Sequence, residues 1–221
     1  MAAAGRSPGR PRADTDPDTR ARTLLAAQVQ FGERGFAGVS MDQLATAAGV
    51  NVRAIYHYFP SKRALFEAAA EAAFETYGAL VLDHVFVHED TRSRLHGFVE
   101  LYRVLYREQP HLLALLSVIT IEGISEARRV PRRRAGDGPA PPSGAEPILA
   151  MNRVLVDAAR ERGELAAGVE TDAAVTLIQT IGMGLGLATL DEDGSFLAML
   201  DVLDLLIDGT LILDASDPSG G

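Results

Sequence analysis

Four side chains that suit contact with nucleic acid fall within ten residues of the chain: Arg53, Tyr56, His57 and Lys62. A guanidinium can donate two parallel hydrogen bonds to a guanine edge, while hydroxyl, imidazole and ammonium groups bond phosphate oxygens. Lys62 is the only lysine in a chain that has 21 lysine and arginine residues. This set predicts a surface that reads bases with one side chain and grips the DNA backbone with the others.

The neighbouring sequence predicts the helices that must position these side chains. Ser40 and Gln43 have the S-x-x-Q spacing of a capping box, and Asn51 and Ser61 are good N-cap residues. We therefore expect one helix that starts after Ser40 and stops at Ala48-Gly49. Two more should follow, over Val52 to His57 and from Lys62 to about Val85.

The first two of these helices have the pattern of a helix-turn-helix. Ala45 is a small residue where two helices could cross, and Gly49, four residues later, suits a tight turn. The second helix of such a unit lies in a DNA major groove about 12 Å wide. Its predicted exposed readers are Val52, Arg53, Ala54, Tyr56 and His57. Ala54 could touch a thymine methyl group, and Arg53 could bond a guanine.

Lys62 is predicted to bind a phosphate. It stands at the first position of the predicted fourth helix, where free amides and the positive helix end favour an anion. A flexible ammonium there would clamp the DNA backbone rather than read a base.

The charge distribution fits a small polyanion-binding module on an acidic body. The net charge is −9, but residues 1–66 hold nine basic against five acidic residues, and the remainder holds 12 against 25. There is no cysteine, which excludes disulfides, thiolate metal sites and cysteine nucleophiles. No run approaches the roughly 18 uninterrupted apolar residues of a membrane helix. We expect a cytoplasmic protein that has no cofactor and is not an enzyme.

Helical periodicity dominates the whole chain and predicts an all-α fold. A first helix is expected over about Asp18 to Arg34, and residues 128–144 read as a mobile loop. The predicted domains are a disordered basic arm (1–17), a helix-turn-helix domain (18–66) and a ligand-binding and dimerisation domain (67–221). The body helices are expected at Thr91 to Glu108, His111 to Arg128, Glu146 to Arg162, Thr171 to Leu190 and Ser195 to Leu213.

Residues 22–67 resemble the DNA-binding domain of the TetR family of bacterial transcriptional regulators. The resemblance runs through Ala27, Phe31, Gly35, Phe36, Ser40, Leu44, Ala45, Ala48, Gly49, Val50, Ile55, Tyr56, Phe59, Lys62 and Leu65. It implies a three-helix DNA-binding head, a helical ligand-binding and dimerisation body, and release of operator DNA when ligand binds. By position, Tyr56, His57 and Lys62 match the phosphate-contacting residues, and Val52, Arg53 and Ala54 match the base readers. Ser40 completes the predicted DNA-binding set.

The resemblance also implies a homodimer formed by the last two long helices. The predicted interface residues are Ile181, Leu185, Phe196, Met199, Leu200, Leu203 and Ile207. The spacing alone favours plain core, and only the family makes an interface the better interpretation. A two-fold dimer requires a palindromic operator.

Inward periodicity selects candidates for a ligand pocket with an apolar lining. They are Phe98, Tyr102, Tyr106, Leu115, Ile119, Glu122, Met151, Asn152 and Leu155. Each is also a plausible core residue.

Other patterns favour simple explanations. His84 and His88 are spaced for one helical face but lack a third metal ligand, and the glycines at 182, 184 and 186 lack the strand of a phosphate loop. The arginines of the 128–134 segment belong to the body. The functional prediction is a repressor released by a small hydrophobic ligand. The alternatives are a ligand-independent regulator and a helical enzyme or carrier of hydrophobic metabolites with a relic head.

Overall fold

The computed structural model describes residues 17–129, 146–189 and 195–209, except for the side chains of residues 17, 122–129 and 146. All regular structure within these residues is helical, which confirms the predicted all-α class. The predicted basic arm (apart from Pro17), the segment 130–145 and residues 210–221 lie outside the described part. The helices are α1 (Pro17–Arg34), α2 (Met41–Ala48), α3 (Val52–Tyr58), α4 (Lys62–His84), α5 (Thr91–Glu108), α6 (Pro110–Arg129), α7 (Glu146–Glu161), α8 (Thr171–Ala188) and α9 (Ser195–Asp208).

The three predicted caps of the head are all formed. The Gln43 amide donates to Ser40 Oγ over 3.2 Å, and the Ser40 amide donates to Gln43 Oε1 over 2.8 Å, which completes the capping box. The side chains of Asn51 and Ser61 accept from the third residue of their helices at 2.7 and 3.0 Å. Because each cap contributes about 1 kcal/mol, local sequence alone sets where α2, α3 and α4 begin.

The turn between α2 and α3 requires its glycine. Gly49 has φ 66°, a left-handed conformation that costs other residues a steric penalty, and Val50 then donates to the Ala45 carbonyl over 3.0 Å. Leu44 and Ile55, one from each helix, are fully buried beside the turn. The predicted helix-turn-helix is therefore present.

The core of the head continues into the body along α4. Phe31 of α1 is fully buried, and its ring meets the edge of Phe66 of α4 at 5.1 Å between centroids. Further along α4, Ala69, Tyr77 and Val81 are buried in the same cluster. One helix thus carries both the end of the head core and the beginning of the body core.

A second connection between head and body runs from α1 to α6. These two helices pack extensively against each other. At Gly32 the approach is so close that an added Cβ would lie 3.0 Å from the Leu115 amide nitrogen and 3.1 Å from the His111 carbonyl oxygen. A larger residue at this position would force the two backbones apart by a few tenths of an ångström.

Helix α9 is held on α5 by a row of ion pairs. Arg103 of α5 donates to Asp201 and Asp204 over 2.7 Å each. The His96 ring lies between two carboxylates, with Nδ1 2.7 Å from Asp204 and Nε2 3.0 Å from Asp208. Arg92 approaches Asp208 at 3.5 Å and donates to the Ile207 carbonyl over 2.7 Å. Both ring nitrogens of His96 can donate only when the ring is protonated.

The row of ion pairs predicts a pH-dependent stability. Hydrogen bonding to Asp204 raises the pKa of His96 above its ordinary value, with a smaller contribution from Asp208. This stabilisation is fully present below about pH 6.5, the unfolded value, and is lost as the pH rises through the raised folded pKa. The Tm should therefore fall as the pH increases from about 6 to about 9.

His96→Gln should flatten this dependence of Tm on pH. His88→Gln, which removes an exposed histidine from the same end of the body, serves as the control and should keep it. Equal pH profiles for His96→Gln and the unsubstituted protein would show that the imidazole does not contribute to the docking of α9.

The α1–α6 contact predicts opposite effects of two glycine substitutions. Gly32→Ala should lower the free energy of unfolding by about 1 to 3 kcal/mol, because the methyl group meets backbone atoms that cannot easily move. Gly78→Ala, in open space within α4, should leave stability unchanged or raise it by up to about 1 kcal/mol. Urea unfolding followed by circular dichroism measures both. Equal stability of the two variants would contradict the close contact.

Candidate nucleic-acid interface and body cavity

The exposed face of α3 carries three of the predicted DNA contacts. Arg53, Tyr56 and His57 are spaced at i, i+3 and i+4, which puts them on one side of the helix. All three are exposed, and Tyr56 keeps 49% of its surface accessible. The His57 ring meets the face of Tyr58 edge-on at 5.1 Å, and Tyr58 packs against the core. The imidazole of His57 thus faces outward, while the phenol of Tyr58 faces inward.

Two of the predicted base readers differ from expectation. Ala54 is only 5% exposed, so the prediction that it is an exposed reader is wrong. Helix α3 has seven residues and must bury Ala54 together with Ile55 to attach to the rest of the head. Val52 is half-buried and packs on the same core. Ser40 is exposed at the start of α2, where its hydroxyl accepts from the Gln43 amide.

Lys62 has a structural role that the sequence did not reveal. Its ammonium donates to the carbonyls of Phe36 and Val39, both over 2.8 Å, and lies 4.4 Å from the centroid of the Phe36 ring. Two of its three N–H donors are therefore used within the head, and the prediction of a free phosphate clamp requires correction. The ammonium is drawn inward because the α1–α2 connection presents two carbonyls that no helix satisfies.

Lys62→Met should therefore affect stability more than electrostatics. Loss of both hydrogen bonds leaves two carbonyls without their donor and should cost about 1 to 3 kcal/mol in urea unfolding. DNA affinity should fall because the head loses its geometry, while the slope of log affinity against log salt changes by much less than the roughly 0.9 expected for a lost phosphate contact.

Arg63→Met is the matched control. It removes the neighbouring positive charge, whose exposed pair with Glu67 at 2.8 Å contributes little to stability. A Lys62→Met protein that is as stable as Arg63→Met but has a reduced salt slope would restore the phosphate clamp.

Two small cavities lie among α4 to α8 in the part of the body that the structure describes. The first has a volume of about 40 Å³, and the second has about 20 Å³. Of the predicted pocket residues, Phe98, Tyr102 and Asn152 line the first, and Phe98, Met151, Asn152 and Leu155 line the second. The structure adds residues of α4 and α8 that periodicity did not select, among them Tyr77, Ile178 and Gln179.

Three other predicted pocket residues belong to the core, away from the cavity walls. Leu115 is fully buried and Ile119 is nearly so, while the Tyr106 ring packs on Phe196 at 4.7 Å between centroids. None of the three lines either cavity. The Glu122 side chain lies outside the described residues, as do the side chains of the arginine cluster at 128–134.

The polar groups of the cavities are hydrogen-bonded and uncharged. Tyr102 donates to the Gly182 carbonyl over 3.2 Å and also shares a hydrogen bond with Tyr77. Burial raises the pKa of both hydroxyls above the usual range, so both tyrosines stay protonated at neutral pH. Asn152 Nδ2 donates to Gln179 Oε1 over 2.9 Å. The site is thus suited to binding rather than to acid–base chemistry.

Glycines on the inner face of α8 bring that helix close to the cavity. A Cβ on Gly186 would lie 2.5 Å from Ser117 Oγ, and one on Gly182 would lie 3.1 Å from the Tyr102 hydroxyl. Gly184 is exposed and faces the other way. The simple interpretation of these glycines as close-packing residues is confirmed for Gly182 and Gly186.

The predicted dimer-interface stripe belongs mostly to the interior of one protomer. Leu185, Phe196 and Leu200 are buried, and Ile181, Met199, Leu203 and Ile207 pack half-buried against the same core. These three are core residues of one protomer rather than a free surface: Phe196 and Leu200 are on the face that docks α9 on α5, and Leu185 is buried on α8. On α9, the predicted interface residues and the exposed residues Val202 and Leu206 lie on different sides of the helix.

Apolar side chains remain exposed on the outer faces of α8 and α9. Leu177 and Leu187 of α8 and Val202 and Leu206 of α9 are exposed, with Leu177 at 60% and Leu206 at 56%. By length and composition alone α8 could cross a membrane, and it is the one helix of the described residues that meets this test. The same composition suits a helix whose outer face packs on a second protein surface.

Comparison with known proteins identifies the head and the overall fold. The family model described as bacterial regulatory proteins of the tetR family matches residues 24–69. The HTH-type transcriptional repressor NicS of Pseudomonas putida is 26% identical over 69% of this chain and 68% of NicS. The transcriptional regulator AcuR of Cereibacter sphaeroides is 36% identical, but over only 36% of either chain. The structure of Salmonella enterica GusR, 25% identical, superposes with a TM-score of 0.61 over 89% of this chain and 97% of GusR.

Proposed function

Because this chain is a DNA-binding transcriptional regulator of the TetR family, we propose that it is a homodimeric repressor that leaves a palindromic operator when a small molecule binds in its body. The main support for DNA binding is the exposed face of α3, which presents Arg53, Tyr56 and His57. A helix-turn-helix whose N-caps are all formed holds this face in place. Arg53 would read a base, and the other two would bond phosphates.

The exposed apolar faces of α8 and α9 support the dimer. Four such helices from two protomers would form a bundle that covers Leu177, Leu187, Val202 and Leu206. Two-fold symmetry would then present two copies of α3 to successive major grooves about 34 Å apart. The predicted operator is accordingly a palindrome. The expected site of action is the cytoplasm, where the chromosome lies.

The position of the cavities supports a ligand-controlled switch. Tyr77 and Val81 of α4 line them, and the same helix begins at Lys62 inside the head. A ligand that displaces α4 would change the spacing of the two heads, provided that it binds this state more tightly than the DNA-bound one. NicS is named a repressor, which favours repression here.

Selection of bound sequences from random duplex DNA tests the proposal. The purified protein should enrich a palindrome with half-sites about one helical turn apart. Arg53→Ala should relax the choice of base at one symmetric position, with a loss of roughly 1 to 3 kcal/mol in discrimination per contact. No enrichment, together with a copurified small molecule, would favour the helical enzyme or carrier with a relic head.

A ligand-independent regulator gives a different result in the same experiment. It would enrich a palindrome that no copurifying or added small molecule releases. Enrichment of an asymmetric site would contradict the symmetric dimer.

Val202→Glu should convert the dimer to a monomer. A carboxylate would be buried without a partner at the proposed interface, which costs several kcal/mol. Leu82→Glu, on an exposed position of α4, is the matched control and should remain dimeric. Sedimentation equilibrium gives the mass of each variant, and circular dichroism checks that both stay folded. A dimeric Val202→Glu protein would place the interface elsewhere.

A further inference from the structure

The two body cavities lie end to end and share one wall. Tyr77, Phe98, Asn152 and Ile178 line both of them. The first cavity opens between α6 and α8, where Ile121 and Leu187 are exposed, and the second ends against Val81 of α4 and Val85 directly after it. Movement of the half-buried Phe98 ring would therefore join them into one elongated channel that runs from the surface to α4.

The small volumes require such a movement before a ligand larger than a few water molecules can enter. Cavities of about 40 and 20 Å³ hold a few water molecules at most. Phe98 and Met183 are half-buried and therefore less tightly enclosed than the fully buried core, and methionine adapts readily to new packing. Ligand entry is thus coupled to rearrangement of the shared wall.

The wall of the first cavity presents a polar pair with unused hydrogen-bonding groups, and Asn152 of this pair also lines the second cavity. Asn152 Nδ2 donates to Gln179 Oε1, which leaves the Asn152 carbonyl oxygen and the Gln179 amide protons without another partner among the described residues. These groups suit a carbonyl that accepts from Gln179 and sits beside an N–H or O–H that donates to Asn152. A carboxamide has this arrangement.

The remainder of the lining disfavours an ionised ligand. No charged side chain lines either cavity within the described residues, and the second cavity is apolar apart from Tyr77 and Asn152. Burial of an ion without a countercharge costs several kcal/mol, more than the available neutral hydrogen bonds return.

We infer that the ligand is an uncharged, elongated molecule, with a carbonyl and an adjacent donor at the Asn152–Gln179 pair and an apolar body that extends past Phe98 toward α4. This inference rests on the proposed function and adds the ligand class. Aliphatic amides and hydroxy-carbonyl compounds have this chemistry. Fatty acid anions and quaternary ammonium ions do not.

Three probes with the same chain length and different head groups test the inference: octanamide, octanoate and trimethyloctylammonium. Isothermal titration of the full-length protein at neutral pH should give an affinity for octanamide at least about tenfold higher than for either ion, which corresponds to 1.4 kcal/mol. Equal or tighter binding of either ion, or no binding of octanamide, would overturn the inference.

A matched pair of variants on α7 locates the polar contact. Asn152→Leu should weaken octanamide binding by roughly tenfold, because one hydrogen bond and the orientation of Gln179 are lost. Val154→Leu, on the other side of the helix and exposed, should bind octanamide like the unsubstituted protein. If Asn152→Leu keeps the full affinity, the amide pair is not the contact.

DNA binding by the same preparations separates the two proposals. If octanoate releases a selected operator more effectively than octanamide does, the proposed repressor function stands. The inference that the ligand is uncharged is then overturned. A protein that binds octanamide but selects no DNA would leave the ligand class intact and would overturn the repressor.

Discussion

The DNA-binding head depends on one half-buried contact of a single ammonium group. Lys62 joins the first turn of α4 to the carbonyls of Phe36 and Val39 and covers the Phe36 ring. Phe36 and Val39 lie in the chain segment that connects α1 to α2. The Lys62 contact therefore sets the angle between the helix-turn-helix and α4. Arginine is not an equivalent replacement for Lys62. Both carbonyls accept from the same compact ammonium nitrogen, whereas the donors of a planar guanidinium are spread over three nitrogens in a fixed geometry.

Head and body are mechanically continuous for the same reason. The aromatic cluster of Phe31, Phe36 and Phe66 lies beside Lys62, and α4 carries the core onward to Tyr77 and Val81 at the cavities. A displacement at the far end of α4 must therefore either tilt the head or break contacts at Lys62. The tight packing of this cluster favours the tilt, since close-packed cores transmit strain.

Local signals in the sequence predicted the helices and the head well. The caps at Ser40, Asn51 and Ser61 act over three residues, so their effect can be read directly from spacing. The sequence could not show which face of a helix another helix covers. The sequence pattern predicts Ala54 on the outside although α3 buries it, and it predicts Phe196 and Leu200 in an interface although α9 uses them to dock on α5. The Lys62 contact spans 26 residues to Phe36 and has no local signature.

The glycine contact between α1 and α6 limits how such regulators can exchange parts. Residue 32 belongs to the head, but the backbone atoms that exclude a side chain there belong to the first turns of α6 in the body. A head grafted from a relative with a larger residue at this place would pack less stably on this body. Recombination between such chains therefore preserves stability best when it transfers the head together with the beginning of α6, although 76 residues separate Gly32 from the end of α5 at Glu108.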